Sequence, residues 1–301
     1  MAAPARARGR VLVTGASGNV GREVVRALER AGFALRLPAR AGEPTSGGAS
    51  IERAPFDFYD RATFRPVLHG CEGLFLLRPP AISDVGPTLN ALVDEARACG
   101  VRHVVFLSVV GAGANPFVPH HAVEAHLRRG PGTFTLLRPG FFAQNLGDAY
   151  RRDIVEAGRL SLPAGRGAVA FVDVRDVAEV AALAFADPSA HASRAYTLTG
   201  PEALRFDEVA RTLTEELART VRYEPASALG YARALAARGL PATQIAVQTV
   251  LHLNIRLGRA AKIDPTLERL LGRRARTLRD YVRDHAALLR PPAAGPDARS
   301  A

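Results

Sequence analysis

The sequence predicts an α/β fold: a doubly wound parallel sheet with a smaller, mostly helical C-terminal lobe. Strand-like and helix-like segments alternate over about the first 140 residues, as expected for a parallel sheet covered by helices on both faces. The strand segments LVTG, LFLL and VVFL are almost continuously apolar, which is typical of strands buried on both sides. The chain has 301 residues, 48% of them hydrophobic, so it is long enough to bury a sizeable core.

The elements of the first half follow from local patterns. Residues 10–15 predict a strand that runs into a glycine turn, and apolar residues at helical spacing predict a helix over 19–31 that ends at Gly32. Residues 41–50 are a loop by composition. The remaining predicted elements are strands at 33–40, 51–58, 73–80 and 133–140, a strand and glycine loop at 101–113, and helices at 59–70, 84–99 and 119–129.

The second half is less regular. Its predicted elements are a strand and long helix at 165–186, a strand at 195–200, a helix at 206–219, a strand at 220–225 and mostly helix over 226–289. We therefore expect a sheet domain over 1–160, extended by segments near 165–200. A C-terminal lobe over 201–289 and a disordered Pro/Ala-rich tail over 290–301 follow.

Composition and charge exclude several classes of protein. The net charge is +11, but arginines are dispersed and Lys262 is the only lysine, so we expect a solvated basic surface and no nucleic-acid partner. No apolar run is long enough to span a membrane, and the basic N-terminus is followed by a strand pattern rather than a secretion signal. The two cysteines, Cys71 and Cys99, form no CxxC pair, which favours a cytoplasmic protein without disulfides or a zinc knuckle.

The segment VLVTGASGNVGREVVRAL carries the strongest motif. It places Gly15, Gly18 and Gly21 between a predicted strand and a predicted helix. In a dinucleotide-binding loop the first glycine makes the tight turn, the second lets the backbone approach a pyrophosphate, and the third lets the helix pack close to the strand. The helix N-terminus adds free N–H groups and a positive dipole. The motif predicts a Rossmann-type domain, and its GxxGxxG spacing is typical of short-chain dehydrogenases/reductases.

The residue at the end of the second strand predicts which nicotinamide cofactor binds. An NAD site carries an acid there, whereas this chain has Arg40. A guanidinium favours the 2′-phosphate through charge-assisted hydrogen bonds, so we expect NADP(H). Asp57 and Phe58 close the third strand, where a carboxylate and a ring can touch the adenine; a turn aspartate beside a core phenylalanine is the alternative.

The usual proton-donating pair of short-chain reductases is missing. No Tyr-x-x-x-Lys occurs, because Gly258 precedes Lys262 by four residues. Ser108 follows a buried strand, and His120-x-x-x-Glu124 occupies the place of the missing pair, so we expect Ser108, His120 and His121 to be the catalytic candidates. Glu124 would orient or charge His120. The alternatives are a strand-end serine that bonds backbone and surface histidines at a helix start; with His126 the spacing does not suit a metal on one helical face.

In combination, several segments resemble the NmrA-like family of atypical short-chain dehydrogenases/reductases: VTGASGNVG, GLFLLRPP, HVVFLSVVGAG, TLLRPGFFAQNL, FVDVRDVAEVAALAF and LLGRRARTLRDYVRDHAALL, in order along nearly the whole chain. The resemblance implies that Thr14 to Val20 wrap the pyrophosphate and that Arg40 binds the 2′-phosphate. It further implies contacts to the nicotinamide ribose from Leu77, Arg78 and Pro79, to the nicotinamide from Pro139, Gly140, Phe141 and Phe142, and to substrate from Phe142 and Asn145. The pyrophosphate contacts would come from Thr14, Gly15, Ser17, Gly18, Asn19 and Val20.

The predicted function is an NADPH-dependent oxidoreductase that reduces a ketone or quinone of a hydrophobic or aromatic small molecule, in keeping with a step of secondary metabolism. A catalytically weak regulatory protein that senses NADP(H) is the main alternative, because the Tyr/Lys pair is absent; an isomerase on the same fold is a further one. We expect a small-molecule substrate, no metal, no membrane partner, and a monomer or homodimer.

Asp173 and Asp176 are expected to cap the helix that follows them. Candidates for the lid of the pocket, each better explained as core, are Leu229, Tyr231, Leu235, Leu240 and Ile245.

Overall fold

The computed structural model describes residues 8–39 and 50–291. Its strands are β1 (Arg8–Val13), β2 (Phe33–Ala39), β3 (Ile51–Pro55), β4 (Gly73–Leu77), β5 (His103–Leu107), β6 (Thr133–Pro139), β7 (Phe141–Phe142), β8 (Arg159–Leu162), β9 (Ala168–Val172), β10 (Arg194–Leu198), β11 (Ala203–Arg205) and β12 (Arg222–Pro225). Arg40, the predicted loop up to residue 49 and the predicted tail from residue 292 lie outside the described residues.

The helices are α1 (Asn19–Arg30), α2 (Phe64–Leu68), α3 (Ala91–Ala98), α4 (Pro119–Arg129), α5 (Arg151–Ala157), α6 (Val174–Ala186), α7 (Pro188–His191), α8 (Phe206–Leu217), α9 (Ala228–Ala237), α10 (Ala242–Arg256), α11 (Thr266–Leu271), α12 (Leu278–Asp284) and α13 (Ala286–Leu289). Short 3₁₀ segments lie at Arg61–Thr63, Ala112–Ala114 and Ala143–Gly147, and a π-helical turn at Gly86–Asn90 precedes α3. None of the described helices is long and apolar enough to cross a membrane.

Seven strands form one sheet in the order β10-β6-β5-β4-β1-β2-β3, and every adjacent pair is parallel. The order reverses direction between β1 and β4, which is the topological switch point of a doubly wound fold. All five residues of β5 and the first four of β4 are buried, as expected for central strands covered on both faces. The predicted α/β fold class is confirmed.

The helix after β1 shows how the sequence determines local structure. Its apolar residues Val20, Val24 and Leu28 are buried on one face, and polar residues occupy the other. The helix ends at Arg30 with Ala31 as its C-cap, and Gly32 follows with φ of +79°, a left-handed conformation that glycine adopts without steric cost. The predicted helix and its glycine cap are confirmed.

The chain divides into two compact units. The first contains residues up to Gly140, Val174–Leu198 and Asp264–Ala275; the second contains Phe141–Asp173, Thr199–Ile263 and the chain from Arg276 onward. This division differs from the predicted boundaries, because residues 141–160 and β9 belong to the second unit and α11 belongs to the first. α6 and β10 lie in the first unit, in line with the extension expected near 165–200. The reason is packing: Phe141, Leu146 and Ile154 are buried in the hydrophobic cluster of the second unit.

The second unit has its own small sheets and core. β9 pairs in parallel with β7 and antiparallel with β11, and β12 pairs in parallel with β8. Phe171 and Phe206 lie at the centre of its cluster, with ring centroids 6.0 Å apart. Of the proposed lid residues, Tyr231 and Leu235 are buried in this cluster and Leu240 and Ile245 pack against it, whereas Leu229 is exposed. Four of the five are therefore core residues.

Candidate active site

The glycine loop joins β1 to α1 in a tight turn. Gly15 has φ of +67°, and its carbonyl accepts a hydrogen bond from the Gly18 N–H at 3.0 Å. A Cβ atom on Gly21 would lie 2.0 Å from the Gly15 carbonyl oxygen, so only glycine allows α1 to approach the turn this closely. The predicted roles of Gly15 and Gly21 in the backbone geometry agree with this arrangement.

The start of α1 suits an anionic ligand. Gly18 occupies the N-cap position without a side-chain hydrogen bond, and the first turn contains no acidic residue. Ser17, Gly18 and Asn19 are exposed there. A helix leaves its first N–H groups without intrahelical partners, and these groups together with the helix dipole bind phosphates. The residues of this loop therefore fit the pyrophosphate of a dinucleotide.

Thr14 connects the glycine loop to the neighbouring strand. Its side chain is fully buried, and its hydroxyl accepts a hydrogen bond from the Leu77 N–H at 2.8 Å and donates to the Phe75 carbonyl at 3.2 Å. The backbone after β4 is thereby held beside the loop after β1. Leu77, Arg78 and Pro79 follow at this edge of the sheet, partly exposed, where dinucleotide-binding folds place their ligands.

Ser108 belongs to a buried network that joins three elements. Its hydroxyl donates to the Glu124 carboxylate at 2.6 Å, and Arg138 donates to the same carboxylate through Nε, at 2.8 Å, and through its terminal nitrogen. Burial alone raises the pKa of Glu124, but the hydrogen bonds from Arg138 and Ser108 outweigh burial and the pKa lies below its ordinary value. Glu124 is therefore charged and accepts the hydrogen bond that Ser108 donates.

The expected pairing of His120 with Glu124 is wrong. Both oxygens of Glu124 are engaged by Ser108 and Arg138, whereas His120 Nε2 lies 3.4 Å from the Nε of Arg78. Arg138, at the end of β6, competes successfully because its guanidinium meets both carboxylate oxygens at once. Arg138 is not among the site residues predicted from the sequence, although its position in LLRPG, at the end of a buried strand, is a signal for it.

The other predicted residues are spread over both units. His121 donates through Nδ1 to the Ala112 carbonyl at 2.9 Å, which fixes its ring to the loop before α4. Asp57 is exposed, but Phe58 is buried in the core of the first unit, 4.8 Å from the Phe56 ring centroid. The placements of the remaining residues are as follows: Pro139 is buried and pairs with Leu198, while Phe142 in β7 and Asn145 in the following 3₁₀ turn belong to the second unit and are partly exposed.

The two aspartates of FVDVRDVAE are both buried. Asp173 accepts a hydrogen bond from the Gln144 amide at 3.0 Å, and Asp176, in the first turn of α6, pairs with Arg273 at 2.8 Å. Arg273 also pairs with Glu179 one turn further along α6. Asp176 therefore anchors the segment after α11 to α6 within the first unit.

We expect the protein to lose stability as the pH falls from 7 towards 4. Burial lowers the pKa of His103 to about 4, with a smaller contribution from His191. Burial also lowers the pKa of His120 to about 4; Arg78 acts in the same direction, and Glu124 opposes it. The unfolded chain protonates these rings near pH 6.5, so it binds more protons than the fold between pH 6.5 and 4. The free energy of unfolding should fall in that window by up to about 3 kcal/mol for each ring.

Chemical denaturation at pH 7, 6 and 5 measures this effect. His120→Asn should reduce the pH dependence because it removes one of the two rings. His69→Asn is the control, because the His69 side chain is exposed. Equal stability of the unchanged protein at pH 7 and 5 would contradict the expectation.

The fold and the glycine loop correspond to a known family. The sequence profile of the NmrA-like family matches residues 7–280. The chain belongs to the NmrA-like family. The predicted membership is thereby confirmed over both units, including the less regular second half.

Several named reductases align with nearly the full chain. NAD(P)H azoreductase of Xenophilus azovorans is 31% identical over 287 residues, covering 92% of this chain and 98% of the relative. The (4-alkanoyl-5-oxo-2,5-dihydrofuran-3-yl)methyl phosphate reductase of Streptomyces griseus is 33% identical over 286 residues, covering 93% and 99%. The crystal structure of the Escherichia coli NADPH-dependent quinone oxidoreductase QOR2 with NADPH superposes with a TM-score of 0.79 at 25% identity, covering 90% of this chain and 98% of that one.

Proposed function

We propose that this protein reduces a ketone or quinone carbonyl on a hydrophobic or aromatic small molecule, with NADPH as the hydride donor. The chain is an NAD(P)H-dependent oxidoreductase, as are several relatives that align with 90–92% of it. The observation that carries the proposal is the glycine loop, in which the Gly15–Gly21 contact leaves an exposed helix N-terminus without a capping side chain. This arrangement fits a dinucleotide pyrophosphate.

The relatives, and the chemistry that the chain lacks, support the proposed substrate class. One relative is named a quinone oxidoreductase, one an azoreductase and one a (4-alkanoyl-5-oxo-2,5-dihydrofuran-3-yl)methyl phosphate reductase; the first and third names contain carbonyl-bearing molecules. The chain contains no Tyr-x-x-x-Lys pair. Bound NADPH supplies the hydride, and the chain's own residues must position the carbonyl and meet the charge on its oxygen.

Calorimetry with NADPH and NADH, combined with oxidation followed at 340 nm over a panel of quinones and aromatic ketones, tests the proposal. We expect tighter binding of NADPH and turnover with members of the panel. Failure to bind either cofactor would contradict the proposal. Tight NADPH binding without turnover would instead favour a regulator that senses NADP(H), the alternative suggested by the absent Tyr/Lys pair.

Arg40→Ala should weaken NADPH binding by about 10- to 100-fold and leave NADH binding nearly unchanged, because a charge-assisted bond to the 2′-phosphate is lost. The matched control is Arg53→Ala, which removes an exposed arginine from β3. Equal losses for NADPH and NADH would show that Arg40 does not read the 2′-phosphate.

A further inference from the structure

We propose that His120 is the hydrogen-bond donor of the reaction: as a neutral imidazole, it donates its Nδ1–H to the oxygen of the carbonyl being reduced, and Arg78 holds it in this tautomer. The proposal rests on the proposed function. It assigns the group that stabilises, by a hydrogen bond, the negative charge that develops on the substrate oxygen.

The positions of the protons around Arg78 determine the tautomer. A guanidinium has only donors, so His120 Nε2, 3.4 Å from Arg78 Nε, faces it as an acceptor. Arg78 itself is fixed, because one terminal nitrogen donates to the carbonyls of Pro79, at 3.1 Å, Pro80, at 3.3 Å, and Ile82. The ring therefore carries its single proton on Nδ1.

That Nδ1–H has no partner among the residues that the structure describes. His120 is 9% exposed, and its Nδ1 is a buried polar atom without a hydrogen bond. A buried donor without a hydrogen-bond partner destabilises the protein. Its acceptor therefore lies outside the described residues. A substrate oxygen is such an acceptor, and because Nδ1 has almost no accessible surface in this structure, its approach requires the groups that cover Nδ1 to move when the substrate binds.

His120 lies at the edge of the sheet where the ligand is expected. Its ring packs against Phe106 of β5, with centroids 5.9 Å apart, and its partner Arg78 directly follows β4. The residue before Arg78, Leu77, donates a hydrogen bond from its N–H to the hydroxyl of Thr14, at the start of the glycine loop. Parallel sheets of this type bind ligands at the carboxyl ends of their strands.

The other two catalytic candidates have no free donor. Ser108 donates its only proton to the charged Glu124 carboxylate. His121 donates its Nδ1–H to the Ala112 carbonyl, so its neutral ring has only an acceptor left. Of the three candidates predicted from the sequence, His120 alone keeps an N–H for the substrate.

The chemistry balances without a protein acid. The carbonyl carbon gains the hydride as its π bond breaks, the oxygen takes that electron pair, and water then supplies the proton, giving the alcohol and NADP⁺. His120 stabilises the oxygen while the charge develops and is unchanged afterwards. Because the pKa of His120 is lowered to about 4 by burial and by Arg78, the ring stays neutral across the neutral pH range.

Two amide variants separate the ring nitrogens. The amide nitrogen of asparagine matches the position of Nδ1, whereas the amide of glutamine reaches the position of Nε2. His120→Gln should lower kcat by about 10²- to 10³-fold, and His120→Asn should stay within about 10-fold of the unchanged enzyme. NADPH affinity, measured by calorimetry, should change less than about 2-fold in both variants.

Two further variants complete the design. Arg78→Met should lower kcat, because it removes the donor that faces Nε2 and holds the ring proton on Nδ1. It should also raise the pKa of His120, since Arg78 adds to the larger effect of burial, and so shift the acid side of the pH profile of kcat to higher pH. His126→Gln changes a histidine on the same helix that contacts the exposed Asp94, and as the control it should change neither quantity.

The outcomes are distinguishable. If the unchanged protein binds NADPH but oxidises it with no carbonyl substrate, the proposed function fails. If it turns over and His120→Gln is equally active, the role of His120 is overturned, and a buried water satisfies Nδ1. If both His120 variants unfold, ¹⁵N NMR of the unchanged protein replaces them: the His120 Nδ1–H signal should shift when a carbonyl substrate is added to the NADP⁺ complex, and an unchanged signal overturns the proposal.

Discussion

Gly21→Ala should weaken NADPH binding by about 100-fold or more, because α1 can no longer approach the turn that presents its N–H groups to the pyrophosphate. The added Cβ would lie 2.0 Å from the Gly15 carbonyl oxygen, 2.7 Å from its carbon and 2.8 Å from the Ala16 Cα. All three are backbone atoms, so the contact can be relieved only by moving the loop or the helix. Such overpacking also costs about 1–3 kcal/mol of stability.

Calorimetry with NADPH and thermal unfolding measure the two effects separately. Gly86→Ala is the matched control, because its added Cβ would meet nothing closer than the Asp84 carboxylate at 3.4 Å. It should leave NADPH affinity unchanged. An NADPH affinity of Gly21→Ala close to that of the unchanged protein would contradict the role assigned to this contact.

Glu124→Leu should lower the free energy of unfolding by about 3–5 kcal/mol, as expected when one partner of a buried ion pair is removed. The Glu124 side chain is 2% exposed, and its carboxylate accepts hydrogen bonds from both Ser108 and Arg138. Without it, the Arg138 cation, itself only 20% exposed, loses its counter-charge, and the Ser108 hydroxyl loses its acceptor.

Urea unfolding of a small set of variants tests this ranking. Ser108→Ala removes one hydrogen bond and should cost about 1 kcal/mol. The double variant Glu124→Leu/Arg138→Leu should be less destabilised than Glu124→Leu alone, because no unpaired cation remains. Glu156→Ala breaks the exposed pair with Arg152 on α5 and should cost at most about 0.5 kcal/mol. If Glu124→Leu costs no more than Glu156→Ala, the buried network does not stabilise the fold.

Most regular elements of the first unit could be predicted because their signals are local. The predicted helix at 119–129 coincides with α4, and the Asp60 side chain caps the turn at Arg61–Thr63 by accepting a hydrogen bond from the Ala62 N–H. Long amphipathic helices and apolar central strands carry their periodicity within one segment. Local periodicity and caps were therefore sufficient to predict the parallel sheet and its helices.

Residues 141–163 were not assigned from the sequence, and the physical reason is the shortness of their strands. β7 has two residues and β8 has four, too few to show an alternating pattern. Their strand conformation depends on pairing with β9 and β12, which lie further along the chain. The division into units was missed for the same reason, since it depends on packing between distant segments.

Local features of the candidate site could also be predicted from the sequence, whereas contacts between distant segments could not. The glycine loop is a continuous motif, so its turn and its close helix contact were predictable. The bonds of Glu124 were not, because Ser108, Glu124 and Arg138 come from different elements and only the fold brings them together. His120 lies near the edge of the sheet where the ligand is expected, and its hydrogen-bond partner is Arg78, not the acid one helical turn away.

The interleaving of the two units affects how the protein is made. In the first unit, α6 packs against α1 and β10 pairs with β6. In the sequence, however, Phe141–Asp173 of the second unit lies between β6 and these two elements. A nascent chain that ends near residue 140 therefore exposes an unpaired strand edge and an uncovered helix face, a state prone to aggregation. Co-translational folding of the first unit must wait at least for the residues up to Leu198, so truncation near residue 140 should not yield a stable fragment.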